Sequence, residues 1–186
     1  MKFSCEKELL NDAISHCLHA VAAKSSIPVL EGILIQADDQ VTMSGYNFKT
    51  GIKTSFPASV YQPGAVVLDA KTLAPIVKNL PDDIVEISVN DKLLASISCG
   101  SYQSALTAFD SAEFPELPQV EKSQAIAISN TTLKSMISDT IHAVSDNENK
   151  PIHTGSLFDL KDAVLSVVSV DGYRLAIRKE TIDNPQ

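Results

Sequence analysis

The chain has 186 residues, 44% of them apolar, and 23 acidic against 15 basic side chains give a net charge of −8. That length and apolar share suffice for one large or two small domains, and six Phe, four Tyr and no Trp make the core an aliphatic one. The acidic balance excludes a protein coated in basic residues for nucleic acid, though not a local basic strip on an acidic body. In chain order, residues 3–5 alternate as a short strand with no apolar leader before them. Lys7 to about Val21 has helical spacing, with Leu10, Ile14, Cys17, Leu18 and Val21 on one face. After a polar loop, strands are expected near 29–36, 40–46 and 50–56. Residues 64–70 (GAVVLDA) read as a strand, and 71–80 (KTLAPIVKNL) as a short helix with Leu73, Ile76, Val77 and Leu80 inward. Pro75 suits a helix only in its first turn, so this helix is expected to start late or to bend. IVEISVN, KLLASISC and YQSALTA alternate as three strands, with Asn90-Asp91 at a hairpin turn. Residues 110–124 read as a linker that Pro115 and Pro118 keep extended. Ile126-Ala127-Ile128 read as a strand. A helix near 131–144 is expected to bury Leu133, Met136, Ile137, Ile141 and Val144, and strands follow near 154–160, 163–169 and 173–179.

The chain repeats itself. HAVAAKSSIPVLEGIL at 19–34 returns as HAVSDNENKPIHTGSL at 142–157. At a shift of 123 residues, 34 positions from Phe3 to Gln36 align without a gap. Identities fall at Leu10/Leu133, Ile14/Ile137, Ser15/Ser138, His19/His142, Ala20/Ala143, Val21/Val144, Pro28/Pro151, Gly32/Gly155 and Leu34/Leu157. Composition alone predicts roughly one match in sixteen. A period this long is duplication of a folding unit, not a solenoid. The expected fold class is α+β, built from three β-α-β-β-β units. The first two form one domain over 1–121, and the third starts an incomplete second domain over 122–186.

The residues 27–34 (IPVLEGIL), Pro63-Gly64, 112–118 (AEFPELP), AVSDNENKPI with 155–158 (GSLF), and above all VDGYRLA at 170–176 resemble the bacterial sliding clamps, the beta subunits of DNA polymerase III. The resemblance covers the whole chain in order. It implies a DNA-clamp fold with antiparallel sheets outside and helices lining a hole. The implied function is a processivity factor without catalytic site, cofactor or metal, which encircles duplex DNA in the cytoplasm and tethers the replicative polymerase. The family's subunit has six such units and two subunits close a homodimeric ring; this chain has three, as either a fragment or a natural truncation.

A clamp must slide, so its contacts to DNA should be sparse and directed at phosphates rather than bases. Lysines on polar helix faces and in the following loops are the expected contacts: Lys24, Lys71, Lys78, Lys134 and Lys150. Any one of them alone reads better as a solvated lysine, and only as a set repeating with the module do they favour the DNA-facing reading. The resemblance implies a pocket for short apolar peptides of the polymerase and the clamp loader. One wall is His153, Val170, Gly172, Tyr173, Arg174 and Leu175, with His153 where the family usually has Leu; Asp171-Gly172 also reads as a plain hairpin turn. The edge strand carrying Gln103, Ser104 and Leu106 would pair with another subunit.

Rival readings are a truncated clamp-like interaction module that binds proteins but does not encircle DNA, and a small hydrolase, for which no catalytic constellation presents itself. His16-Cys17-Leu18-His19 suggests a metal only superficially, because Cys17 belongs to the apolar helix face. Three cysteines without a CxxC pair fit buried thiols in a reducing compartment better than a disulfide framework. No apolar run approaches the length of a membrane span. The third unit lacks a partner unit, so an exposed helix flank and strand edge are expected on it.

Overall fold

The computed structural model describes residues 1–120 and 125–182. It divides into two compact units, Met1–Pro118 and Gln119–Gln186. Residues 121–124, the end of the expected linker, and 183–186 lie outside the described residues.

In Met1–Pro118 the elements run β1 (Lys2–Glu6), α1 (Lys7–Leu18), β2 (Gly32–Ala37), β3 (Val41–Tyr46), β4 (Gly51–Phe56), β5 (Ser59–Gln62), β6 (Gly64–Asp69), α2 (Ala70–Lys78), β7 (Ile84–Val89), β8 (Leu94–Cys99) and β9 (Tyr102–Asp110). All pairings are antiparallel, in the order β4-β3-β2-β6-β9-β8-β7-β1-β5. The order shows an exchange. β1 opens the first repeat but pairs with β7 of the second, Phe3 opposite Ile87 and Cys5 opposite Val85. β6 opens the second repeat but pairs with β2 of the first, Leu68 opposite Ile33 and Val66 opposite Ile35. β9 is one long strand that pairs with β8 over its first part and with β6 over Ala108–Asp110. Its counterpart is cut in two: β4 pairs with β3, then Pro57-Ala58 interrupts, and β5 pairs with β1. Pro57 has no N–H for a ladder, so the break falls there.

The alternating inward side chains of these strands meet the two helices in one core. Phe3, Leu10, Ile14, Ile33, Ile35, Met43, Leu68, Leu73, Ile87 and Ile97 are its largest fully buried members. Helix α1 buries Leu10, Ala13, Ile14 and Cys17, and it packs against α2. It is shorter than its apolar periodicity suggests: His19 N–H donates to the His16 carbonyl and Ala20 N–H to that of Cys17, which tightens the last turn. Leu18 is therefore exposed, and Val21 meets the core from the following loop. The strand expected near 29 starts only at Gly32, because Pro28–Glu31 forms a 3₁₀ turn with Pro28 at its head.

Helix α2 neither starts late nor confines Pro75 to its first turn. Asp69 caps it, accepting from Thr72 N–H at 2.8 Å and from Thr72 Oγ1 at 2.6 Å, and this fixes the start at Ala70. Pro75 then lies in the second turn, and the carbonyl it leaves without a donor belongs to exposed Lys71, which water can serve. The expected linker also differs in its first half. Ser111–Glu113 is a 3₁₀ turn, and Phe114 and Leu117 pack with Val29, Leu30, Tyr46 and Val67 in a second, smaller core.

Gln119–Gln186 contains α3 (Asn130–Thr140), β10 (Leu157–Lys161), β11 (Val164–Val170) and β12 (Leu175–Thr181), the strands forming one antiparallel sheet in that order. Ser129 caps α3, accepting from Thr132 N–H. Met136, Leu165, Val167 and Ile182 form the core, with Ile128 and Leu160 beside it. Two sequence expectations fail here. Residues 126–128 form no strand, and α3 gives way to a 3₁₀ turn at Ile141–Ala143, with Ile137 and Ile141 exposed. The exposure of Ile126 and Ile137 goes with the exchange described above: their counterparts Phe3 and Ile14 are covered in Met1–Pro118, whereas Ile141 is exposed as its counterpart Leu18 is, because both helices tighten at their last turn.

Asp69→Ala should lower unfolding stability by about 1 kcal/mol through the lost cap of α2. Gly45→Ala should cost more, about 1–3 kcal/mol, because an added Cβ would stand 2.5 Å from the Cys17 carbonyl oxygen, backbone that cannot swing aside. Urea melts of the two variants check both the sizes and their order.

Candidate partner and nucleic-acid interfaces

The turn between β11 and β12 is held by one carboxylate. Asp171 Oδ1 accepts from the backbone N–H of Tyr173 at 2.9 Å and of Arg174 at 3.0 Å, while its Oδ2 accepts from Arg174 Nε at 2.7 Å. Gly172, with φ of +94°, supplies the left-handed backbone that such a tight turn needs. Those backbone donors, and then Arg174, pull the Asp171 carboxyl down to about 2, so it is charged throughout the neutral range. With its backbone fixed, the turn presents apolar groups outward: Tyr173 is 101% and Leu175 59% exposed.

Next to the turn stands the loop after α3. Ser145 N–H donates to the His153 carbonyl at 2.9 Å, and His153 N–H to that of Lys150 at 2.9 Å. Asn147 N–H donates to Ser145 Oγ, and Asn147 Oδ1 accepts from Asn149 N–H. Loop and turn enclose a cavity of about 310 Å³ lined by Val144, Ser145, Asp146, Asn147, Lys150, Asp171, Tyr173 and Arg174. Of the expected wall, Tyr173 and Arg174 line this space. Gly172 and Leu175 flank them as exposed residues, Val170 is half-buried at the end of β11, and His153 enters through its backbone, its buried Nδ1 lacking a hydrogen-bond partner. Lys150, expected to face DNA, lines the cavity as well. The residues that sequence reasoning missed are the loop's polar ones and Asp171 in its organising role. A signal was present: an Asp two residues before a Tyr-Arg pair is the spacing of an Asx turn.

The expected phosphate contacts occupy separate places. Lys24 is exposed in the loop after α1, Lys78 in the last turn of α2, and Lys134 on α3. Lys71, in the first turn of α2, is also solvent-facing but is paired with Glu31. Glu31 accepts from Ser25 N–H at 2.9 Å as well, so one carboxylate ties the loop after α1 to α2. The Lys71 contact, followed by the Ser25 N–H, holds the Glu31 carboxyl below its usual value. On β9, Gln103 is exposed, while Ser104 and Leu106 are half-buried, Leu106 against the core. These residues pair with β8 on one side, and their other edge carries no strand among the described residues.

Cys5, Cys17 and Cys99 are buried free thiols. Burial raises Cys17 to about 11, so it stays a protonated core thiol and a poor metal ligand beside His16 and His19. Among the described residues no helix is long and apolar enough to cross a membrane.

Comparison with known proteins adds a consistent set of likenesses. Residues 1–118 match the family "DNA polymerase III beta subunit, N-terminal domain", and residues 127–186 match "DNA polymerase III beta subunit, central domain". The chain is 35% identical to the beta sliding clamp of Bacillus subtilis over 195 residues, covering all of this chain and 52% of that protein. It is 34% identical to the beta sliding clamp of Halalkalibacterium halodurans, covering 98% and 50%. The crystal structure of the Bacillus subtilis DNA polymerase sliding clamp is similar with a TM-score of 0.94 at 36% identity, over all of this chain and 51% of that one. The crystal structure of a putative DNA polymerase III beta subunit from Eubacterium rectale also gives 0.94, at 32% identity, over 99% and 51%. The chain thus spans about half the length of the relatives it matches.

Asp171→Ala should release the turn without unfolding the sheet, seen as faster hydrogen exchange at the Tyr173 and Arg174 amides. Because the folded-state value of this carboxyl is depressed from 3.8 to about 2, its contribution is fully present above about pH 4 and is lost as the pH falls through 2. In the native chain, amide protection at these two residues should follow that course, and in the variant it should be low at every pH.

Proposed function

Because this chain belongs to the DNA polymerase III beta-subunit family and covers its N-terminal domain and central-domain region, we propose that it supplies docking and DNA-facing surfaces of a sliding clamp, and that these 186 residues alone act as a protein-interaction module and do not encircle duplex DNA. The observation that carries this reading is its span: three repeats and about half of each relative's length. Encirclement of DNA in a ring of two subunits belongs to the assembly of such surfaces with the remaining clamp domains. Residues 119–186 serve in it as part of a second clamp domain.

The docking surface is the turn at 170–175 with the adjoining loop. Exposed Tyr173 and Leu175 offer apolar area on a backbone that Asp171 holds rigid, which suits short apolar peptides of a replicative polymerase or clamp loader. His153 contributes a polar edge. Lys24, Lys78, Lys134 and Lys150 provide transient phosphate contacts, and Lys71 does so only in competition with Glu31. Gln103, Ser104 and Leu106 lie on the edge strand that pairs with another subunit. The work is accessory rather than catalytic, needs no cofactor, and is cytoplasmic.

The test separates docking from encirclement. The 186-residue chain should bind a short apolar polymerase peptide, with Tyr173→Ala and Leu175→Ala each weakening it roughly tenfold. It should show the same weak retention on circular and linear duplex, falling steeply with salt. Selective retention on closed circles would overturn the module reading, and undiminished peptide binding by both variants would overturn the docking surface. Glu31→Gln should free Lys71 and raise low-salt affinity for duplex DNA of any sequence.

A further inference from the structure

The turn between β3 and β4 is built on the same plan as the one between β11 and β12. Asn47 Oδ1 accepts from the N–H of Lys49 at 3.0 Å and of Thr50 at 2.8 Å, as Asp171 Oδ1 accepts from those of Tyr173 and Arg174. Asn47 N–H donates to the Thr50 carbonyl at 3.2 Å, and Asp171 N–H to that of Arg174 at 3.3 Å. The residue after the acceptor has a positive φ in both turns, and the strand resumes at Gly51 and at Leu175. The turns differ at that second position. Gly172 takes the left-handed backbone freely, whereas Phe48 holds it at φ +65° with a bulky side chain. A glycine or asparagine there would keep every bond of the turn without the strain.

Core filling does not account for the strained ring. Phe48 is 58% exposed, and it meets Tyr46 in an edge-to-face contact, the ring centroids 5.3 Å apart at 64°. Tyr46 belongs to the smaller core together with Leu117, and both lie beside Gly51, where an added Cβ would stand 3.0 Å from Leu117 Cδ2. Phe48 is thus an aromatic knob standing out from packed ground. A strained backbone that holds an aromatic ring in solvent fits recognition better than packing.

Charge indicates what the knob recognises. In the turn at 171–174 the cation, Arg174, is held by its own carboxylate, Asp171. Asn47 makes the same backbone bonds without a negative charge, so Lys49 beside Phe48 is left free. Lys53, two residues beyond Gly51, is exposed as well. Among the described residues neither lysine has an ion pair, and exposed Glu116, next to Leu117, pairs with neither. Residues 40–68 contain no acidic side chain, in a chain that has 23. We propose that this turn is a second docking point, which takes a peptide segment of a partner protein carrying apolar side chains between carboxylates. The apolar side chains pack on Phe48, and the carboxylates meet Lys49 and Lys53. Two lysines make no track for a phosphate backbone, which favours a peptide over single-stranded nucleic acid. The docking point goes beyond the surface at 170–175 and stands or falls without it.

The probe is a capped, labelled hexapeptide of two leucines flanked on each side by two glutamates, and the protein is the whole 186-residue chain. Phe48→Ala should weaken binding roughly tenfold, in the native chain and in a Tyr173→Ala background alike. Lys49→Glu combined with Lys53→Glu should abolish binding at low salt and admit the same peptide with lysines in place of its glutamates. Phe48→Asn, which suits the left-handed backbone, should lose the probe while the urea midpoint is kept or raised. A probe that does not bind at millimolar concentration overturns the proposal. So does binding that only Tyr173→Ala weakens, since the peptide then sits on the other turn. A lowered urea midpoint in Phe48→Asn overturns it too, because Phe48 is then a packing residue. A thymidine oligonucleotide that binds through Phe48 more tightly than the peptide overturns it in favour of unpaired bases.

Discussion

Everything in the first unit depends on two short strands lying in the wrong half. β1 and β6 each cross into the other repeat's sheet, so one edge of β7 and one edge of β2 are hydrogen-bonded by a strand of the other repeat. The exchange lets two modest β-α-β-β-β units share one core instead of sealing two small ones. It also brings α1 beside α2, since each helix directly follows its exchanged strand. Helix spacing, sheet continuity and burial of the aliphatic core are thus one constraint seen from three sides.

Much of this was legible in the sequence, and the limits are physical. Element types and their order follow from apolar periodicity and from the repeat. Local chemistry then moved the boundaries: Asp69 set the start of α2 and overrode Pro75, and Pro28 turned the expected start of a strand into a 3₁₀ turn. The errors over Ile126 and Ile137 share a cause, because periodicity tells which face is apolar but not whether anything covers it, and Leu18 and Ile141 are exposed alike where each helix tightens at its end. The repeat itself contained the missing fact, yet which strand pairs with which is a long-range property that spacing within a unit does not encode.

The candidate surfaces divide in the same way. Tyr173, Arg174 and Leu175 stand out through a short motif, and all three are exposed. Asp171 read as turn sequence, yet it fixes the geometry of the whole segment through three accepted hydrogen bonds. Lys71 read as a free cation, but Glu31, forty residues earlier, holds it. A lysine's sequence position reports its charge and not what competes for that charge, and the competing carboxylate is contributed by the turn before β2.

The pairing of β1 also orders events during synthesis. Phe3 finds Ile87, 84 residues later, whereas Ile33 meets Leu68 after only 35. A nascent chain can therefore assemble β2, β3, β4 and β6 while β1 has only the short edge strand β5 to join. The ladder of β1 on β7 has to wait for residues 84–89, with a large loop to close before it forms. Until β7 emerges, the segment that carries Phe3 into the core lacks its longer ladder, and the speed of that closure sets how long the newborn domain stays vulnerable to proteases and to its neighbours.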